Sequence, residues 1–203
     1  MVRPLLLATR SEGKLRELRP LFAEHSIEVV DLRDIGVVES PVEDTLETHS
    51  TFDENALAKA RYFHSLTGRA TVADDSGLVV PALDGRPGVM SKRWSGRTDL
   101  AGQALDDENN RLLLRSLENA HDRSAHYVCA AAYVDEGREI VCRGEAHGKI
   151  LDAALGDGGF GYDPYFLSIE LGRTFGEVSA AEKASVSHRA RAFAALIHRL
   201  GPG

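Results

Sequence analysis

The chain has 203 residues, 43% of them hydrophobic and 27% charged, which suits one compact globular domain with a real core. Its 24 Lys and Arg against 31 Asp and Glu leave a net charge of -7, which argues against a general nucleic-acid binder but permits a small anionic ligand neutralised locally by a metal ion and a few placed cations. No run approaches the ~18 apolar residues of a membrane span, and "MVRPLLLATR" lacks the length and cleavage pattern of a signal peptide, so a cytoplasmic protein with no membrane or nucleic-acid partner is expected.

"PLLLAT" reads as a buried first strand that ends in the polar loop "TRSEGK". "KLRELRPLFAEH" follows with Leu15, Leu18, Leu21 and Phe22 at helical spacing, and Pro20 inside that pattern should kink the helix. "IEVVDL" is a second strand. In "TFDENALAKARYFHSLTG", Thr51 and Glu54 form a capping box, Phe52, Ala56, Ala60 and Phe63 give an inward stripe, and Gly68 supplies the stop. "RATVA" then runs as a strand into Asp74, where it is expected to end.

"LDGRPG" is a turn, and "DDENNRLLLRSLEN" a helix with acids at its start, as the helix dipole favours. "AHYVCAAAYVDEGREIVCRGEAHGKIL" is a long hairpin. Cys129 and Cys142 flank its turn, and in a reducing compartment they read as small buried residues ahead of a disulfide. A Gly-rich loop "GDGGFGYDPYF" leads to a helix or helix pair from Ser179, which with Glu182 makes a second capping box. Early alternation of strands and helices followed by a hairpin predicts an α/β domain with a mixed sheet. No linker marks a boundary, so residues 1–203 are expected to form a single domain.

Four clusters carry chemistry. Thr9 to Lys14 lie between a strand and a helix, where backbone N–H groups and the positive helix end favour an anion. Gly13 permits close approach and Lys14 offers a charge, although an ordinary turn with a solvated lysine has the same pattern. In "ADDSG" the adjacent acids Asp74 and Asp75 point to opposite sides of the strand, and a hard cation such as Mg²⁺ would take a carboxylate oxygen there; a turn in which one Asp binds nearby backbone is the alternative. Glu47 could reach a metal shared with the aspartates, while Glu54 reads first as a cap and Lys59 as part of a solvated face, with one or more of Lys59, Lys183 and Arg189 joining Lys14 to offset the charge of an anionic substrate. Phe160 and Tyr162, on a flexible loop with Asp163, suit a planar heterocycle. Lys183, His188 and Arg189 complement phosphate or a base carbonyl, though His188 alone reads equally as a surface histidine.

The order of "LLLATRSEGKLREL", "ETHSTFDENALAKAR", "ADDSGLVVPALDGRPGVMSKRWSG", "GGFGYDPYF" and "EKASVSHRARAF" resembles the inosine/xanthosine triphosphate pyrophosphatases nearly end to end. That resemblance implies an elongated α/β fold with a long mixed central sheet and two lobes around a nucleotide cleft. It implies hydrolysis of ITP, dITP and XTP to monophosphate and pyrophosphate, with Mg²⁺, by a homodimer that removes nonstandard purine nucleotides. By the same resemblance Thr9, Arg10, Ser11, Glu12, Gly13 and Lys14 contact the triphosphate. Glu47 and Asp75 bind the metal, with Asp75 also the proton acceptor, and Ser76 touches substrate while Ser76-Gly77 lets the chain pass close to phosphate. Phe160, Gly161, Tyr162, Asp163, Lys183, His188 and Arg189 bind the base and neighbouring groups. Three departures from the family pattern stand out: Ser11 for the usual Asn, His49 for Gly, and Met90 with Trp94 where Tyr is common.

Overall fold

A computed structural model describes residues 4–201. Six strands form a single mixed sheet in the order β2-β1-β3-β4-β5-β6. They are β1 (Leu5–Leu7), β2 (Val29–Asp31), β3 (Thr71–Val79), β4 (Ser124–Val134), β5 (Glu139–Ile150) and β6 (Phe166–Ser168). β1 pairs in parallel with β2 and β3, and β6 runs antiparallel to β5. The helices are α1 (Glu12–Glu24), α2 (Phe52–Thr67), α3 (Gly102–Ser116), α4 (Ala180–Val186) and α5 (His188–Leu200). No helix among the described residues is long and apolar enough to cross a membrane.

The chain divides into two compact units, the first built from residues up to Asp75, Cys129–Gly144 and the segment from His188 on. Its cores follow the period of two that a pleated strand imposes. Leu5, Leu7, Val72, Cys129, Ala131 and Tyr133 face one way and join Leu15, Leu18 and Phe22 of α1 and Phe193, Leu196 and Ile197 of α5. Leu6, Ala8, Ala73, Ala130, Ala132 and Val134 face the other way and join Ala56, Ala60 and Phe63 of α2. Phe22 and Phe193 meet edge to face at 5.7 Å, the arrangement that ring quadrupoles prefer. Truncating either fully buried ring to Ala would cost about 3–5 kcal/mol.

α1 begins two residues earlier than the segment read from its hydrophobic spacing, at Glu12, because Ser11 caps it by accepting from Lys14 N. It continues through Pro20 to Glu24. Thr51 caps α2 by accepting from Glu54 N, and its hydroxyl donates to the Glu54 carboxylate at 2.7 Å. Gly68 ends α2 in the left-handed conformation that a side chain resists, with φ 64°.

The second unit comprises Ser76–Val128 and Glu145–Ser187. Its core gathers Leu78, Leu113, Tyr127, Phe166 and Phe175. α3 starts at Gly102, so its acids lie beyond the first turn, and Ala101 offers no side-chain cap. The expected helix pair is α4 and α5, with Ser179 and Glu182 forming a complete capping box. Cys129 and Cys142 are both buried free thiols.

Candidate functional site

β3 does not stop at the acids; it runs through them for four more residues, to Val79. Alternation then gives Asp74 and Asp75 different surroundings. Asp74 shares the side of Val72, which faces α1 and α5, and Asp75 shares the side of Ala73, which faces α2. Both are buried, at 1% and 6% exposure. A buried carboxylate must be paired or change its protonation, and the two acids follow different courses.

Asp74 is surrounded by cations. Lys14 Nζ lies 3.0 Å and Arg189 Nε 3.2 Å from its Oδ2. The Cys129 thiol donates to the same oxygen at 3.8 Å. Burial alone would raise its proton affinity, but Lys14, Arg189 and Lys59 outweigh burial and hold the carboxyl far below the usual range. Arg189 also pairs with Glu17 of α1. Asp74 Oδ1 is buried with no hydrogen-bond partner among the described residues.

For Asp75 the balance goes the other way. Burial pushes its carboxyl up, Lys14 pulls it back, Glu47 adds to the rise, and the net shift is upward. Asn55 Nδ2 donates to Asp75 Oδ2 at 2.9 Å. Lys59, expected on a solvated face, is instead only 8% exposed. It pairs with Glu47 and donates to the Asp74 carbonyl at 2.8 Å. Burial opposes the Lys59 charge, yet Glu47, Asp74 and Asp75 keep it protonated.

The Thr9–Lys14 segment divides by role. Ser11 and Lys14 begin α1, with the Ser11 amide donating to Thr9 Oγ1 at 3.2 Å and Gly13 lying within the helix. Lys14 also donates to the Asp74 carbonyl at 3.3 Å. Arg10 is held along one edge of its guanidinium by both Glu43 oxygens, at 3.0 Å from Nε and 2.7 Å from Nη2, and its Nη1 donates to Val37 O at 2.9 Å. Glu12 pairs with Arg33 on the surface. His188, at the start of α5, is buried at 3% exposure, so the surface-histidine alternative falls.

In the second unit the Gly-rich loop is held from within. Asp163 is 2% exposed and accepts from Phe160 N at 2.9 Å, Lys183 Nζ at 2.6 Å and Tyr127 Oη at 3.3 Å. Gly159 is required at φ 73°, and a Cβ there would lie 2.2 Å from Asp163 Oδ2. Two side chains of α3 hold the Gly161 backbone: Asp106 accepts from its N–H and Asn110 donates to its C=O, each at 2.9 Å. Lys183 Nζ stands 4.9 Å from the Phe160 ring centre and 5.3 Å from that of Phe175.

Tyr162 does not present the open aromatic face expected of it. It is buried and donates to Ser91 O at 2.7 Å, and burial pushes its phenol far up. Gly77 has a similar explanation. A Cβ there would lie 2.4 Å from both Gly88 O and Ser91 Oγ, so the close neighbour it accommodates is the 88–91 segment. Ser76, beside it, is partly buried.

The first unit thus brings together Lys14, Glu47, Lys59, Asp75 and Arg189 from the sequence reading and adds Asn55 and Glu17, while His188 is buried next to Arg189 in sequence. Asn55 and Lys59 lie three and seven residues past Phe52, on the stripe that turns inward, and that spacing was their available signal. Among the described residues no group of three or more His, Cys, Asp or Glu side chains could enclose a metal. The donor set nevertheless suits Mg²⁺. Glu47 is close enough to raise the proton affinity of Asp75, both offer hard oxygens, and Mg²⁺ characteristically takes one or two carboxylates and leaves its other positions to water and phosphate.

Residues 5–199 match the family model described as the Ham1 family. Among curated proteins, the chain is 45% identical to a dITP/XTP pyrophosphatase of Ralstonia nicotianae, covering 98% of this chain and 97% of that protein. It is 48% identical to one of Mycobacterium bovis, covering 98% and 96%. A solved HAM1 protein from Coxiella burnetii superposes with a TM-score of 0.85 at 34% identity over 100% of both chains.

Proposed function

The chain belongs to the Ham1 family, and from that premise we propose that it is a dITP/XTP pyrophosphatase, hydrolysing these nucleotides and ITP to the monophosphate and pyrophosphate. The observation that carries the reading is the division of labour between adjacent acids. Asp74 is kept ionised by Lys14 and Arg189, while Asp75 is left with raised proton affinity. A group that must take a proton from attacking water needs that second environment, and a cluster that must receive polyphosphate needs the cations of the first.

In this mechanism Asp75 accepts the proton of the water that attacks a phosphorus of the α–β anhydride, whose bridging P–O bond breaks to release the monophosphate and pyrophosphate. Lys14 and Lys59 offset substrate charge, and Thr9 to Gly13 provide the backbone and side-chain contacts of the triphosphate. Glu47 and Asp75 would hold Mg²⁺, which when bound supplies charge neutralisation at the phosphate oxygens and Lewis-acid polarisation. Phe160 offers its ring to the purine, with Gly161, Tyr162 and Asp163 shaping the loop beneath it. Lys183, His188 and Arg189 supply donors to the base and its neighbours, and Ser76 contacts substrate.

Selectivity against adenine nucleotides then follows from the purine six position, where inosine and xanthosine carry an acceptor and adenosine a donor; guanine shares that acceptor and is distinguished by its two-amino group. A site built around such a hydrogen bond discriminates by as much as ~10⁴-fold. We further propose that residues 1–203 act as one catalytic domain in a cytoplasmic homodimer. Pyrophosphate release from dITP, XTP, ITP, GTP and dTTP with Mg²⁺ tests the reading. Turnover of dITP and XTP well above that of GTP and dTTP is expected, and no pyrophosphate from dITP or XTP would overturn it.

A further inference from the structure

We propose that Asn55 is a positioning residue, which fixes the Asp75 carboxylate against the loop that carries Glu47. The inference rests on the hydrolytic reading of Asp75 given above.

Asn55 is completely buried, at 0% exposure, on the inward face of α2 with Ala56, Lys59, Ala60 and Phe63. A buried carboxamide is costly unless its donors and acceptor are used, and here they are. Nδ2 donates to Asp75 Oδ2 at 2.9 Å, and Oδ1 accepts from the His49 backbone N–H at 2.9 Å. Nδ2 also lies 3.4 Å from the His49 carbonyl. His49 is two residues beyond Glu47, so one rigid planar group spans the proposed base and the backbone of the loop that bears the other proposed ligand.

The amide is suited to this task in a way its substitutes are not. Asp would oppose a second carboxylate to Asp75, Leu would offer no hydrogen bond, and a Ser hydroxyl is too short to span both partners. The support behind Asn55 is firm. Ala56, Ala60 and Phe63 bury the same helix face, and Thr51 caps the helix four residues earlier. One turn on, Lys59 pairs with Glu47, so α2 contacts both acids from a single surface.

The test is Asn55→Ala, assayed with dITP and Mg²⁺, together with thermal unfolding and amide hydrogen exchange at His49 in metal-free protein. A misplaced catalytic group typically costs ~10²-fold, so kcat should fall by about that factor while KM moves less than about threefold. The His49 amide should lose protection in the same variant. A folded Asn55→Ala protein with wild-type kcat, or with only KM raised, overturns the inference. So does a His49 amide protected equally in both proteins. Should Asn55→Ala fail to fold, Asn55→Ser is expected to fold and show the same selective loss of kcat, and wild-type kcat in that variant overturns the inference as well. Wild-type protein that releases no pyrophosphate from dITP would remove the functional reading and this inference with it. An active wild type beside an unimpaired variant removes the inference alone.

Discussion

Asp74 and Asp75 are consecutive residues of β3 whose carboxylates face opposite sides of the sheet, one toward Lys14 and Arg189 and the other toward Asn55. The strand period alone accounts for the separation, because neighbouring side chains on a strand must diverge. The consequence is electrical. Burial acts on both, but only Asp74 has enough cationic neighbours to reverse its effect.

Substituting the two acids should therefore have opposite signatures. Asp75→Asn removes a buried charge and leaves Asn55 an amide oxygen to bond, so thermal unfolding should change little while turnover falls by roughly 10²–10⁴-fold, the usual worth of a general base. Asp74→Asn leaves Lys14 without its carboxylate and the buried Arg189 with Glu17 alone, and breaking such a buried pair costs about 3–5 kcal/mol. Urea unfolding of the two variants beside a dITP assay separates the roles. Equal stability losses in both would show that the acids are not differentiated.

Gly77→Ala tests a packing role against a ligand role. Its methyl would lie 2.4 Å from Gly88 O, a backbone atom that cannot swing away, and overpacking of this kind costs about 1–3 kcal/mol. The melting temperature should fall, and Ser91→Ala should not restore it, because the carbonyl remains. If Gly77 served phosphate approach alone, the variant would raise KM for dITP and melt with the wild type.

How far the sequence could be read depended on whether the signal was local. The strand pattern of "PLLLAT", the caps at Thr51 and Ser179 and the α2 stripe are short-range features, and each corresponds to the observed element. Lys59 and Tyr162 were harder because their surroundings are set by distant residues. Tyr162 meets a carbonyl 71 residues away in sequence, and a phenol in a Gly-rich loop looks the same whether it faces a ligand or an interior acceptor. Lys59 lies on the inward stripe, but a lysine in a helix is ordinarily solvated, and the partly buried Glu47 carboxylate and the Asp74 carbonyl make the interior tolerable for it. The acids of "ADDSG" were recognisable as chemistry by their apolar flanks. Their unequal environments were not, since these depend on which helix covers each face.

The cap of α4 gives a pH-dependent prediction. Backbone donation from Ser179, the Arg173 guanidinium and the Ser179 hydroxyl pull the Glu182 carboxyl down from 4.5 to about 2. A folded-state value below the unfolded one means that the ionised cap stabilises the protein above the unfolded value, and that this contribution is lost as pH falls from 4.5 towards 2. Glu182→Gln keeps a capping side chain but cannot titrate. Urea unfolding from acid to neutral pH should show a shallower acid decline in the variant. Superimposable profiles would mean that the cap does not contribute to acid sensitivity.

Phe160 provides the corresponding test in the second unit. Its amide is tied down by Asp163, and its ring is approached by the Lys183 ammonium, so the side chain is oriented before any purine arrives. Base–aromatic stacking is worth about 1–3 kcal/mol, and Phe160→Ala should therefore raise KM for dITP by about tenfold. Since the ring contributes nothing to the phosphates, inhibition by inorganic pyrophosphate should be unchanged. Asp163→Asn should do more damage, because Lys183 then loses the buried anion 2.6 Å away and the loop loses the acceptor that fixes Phe160. A Phe160→Ala enzyme with wild-type KM for dITP would place the base elsewhere. A parallel weakening of pyrophosphate inhibition would indicate that the ring supports the fold of the site and does not contact the purine.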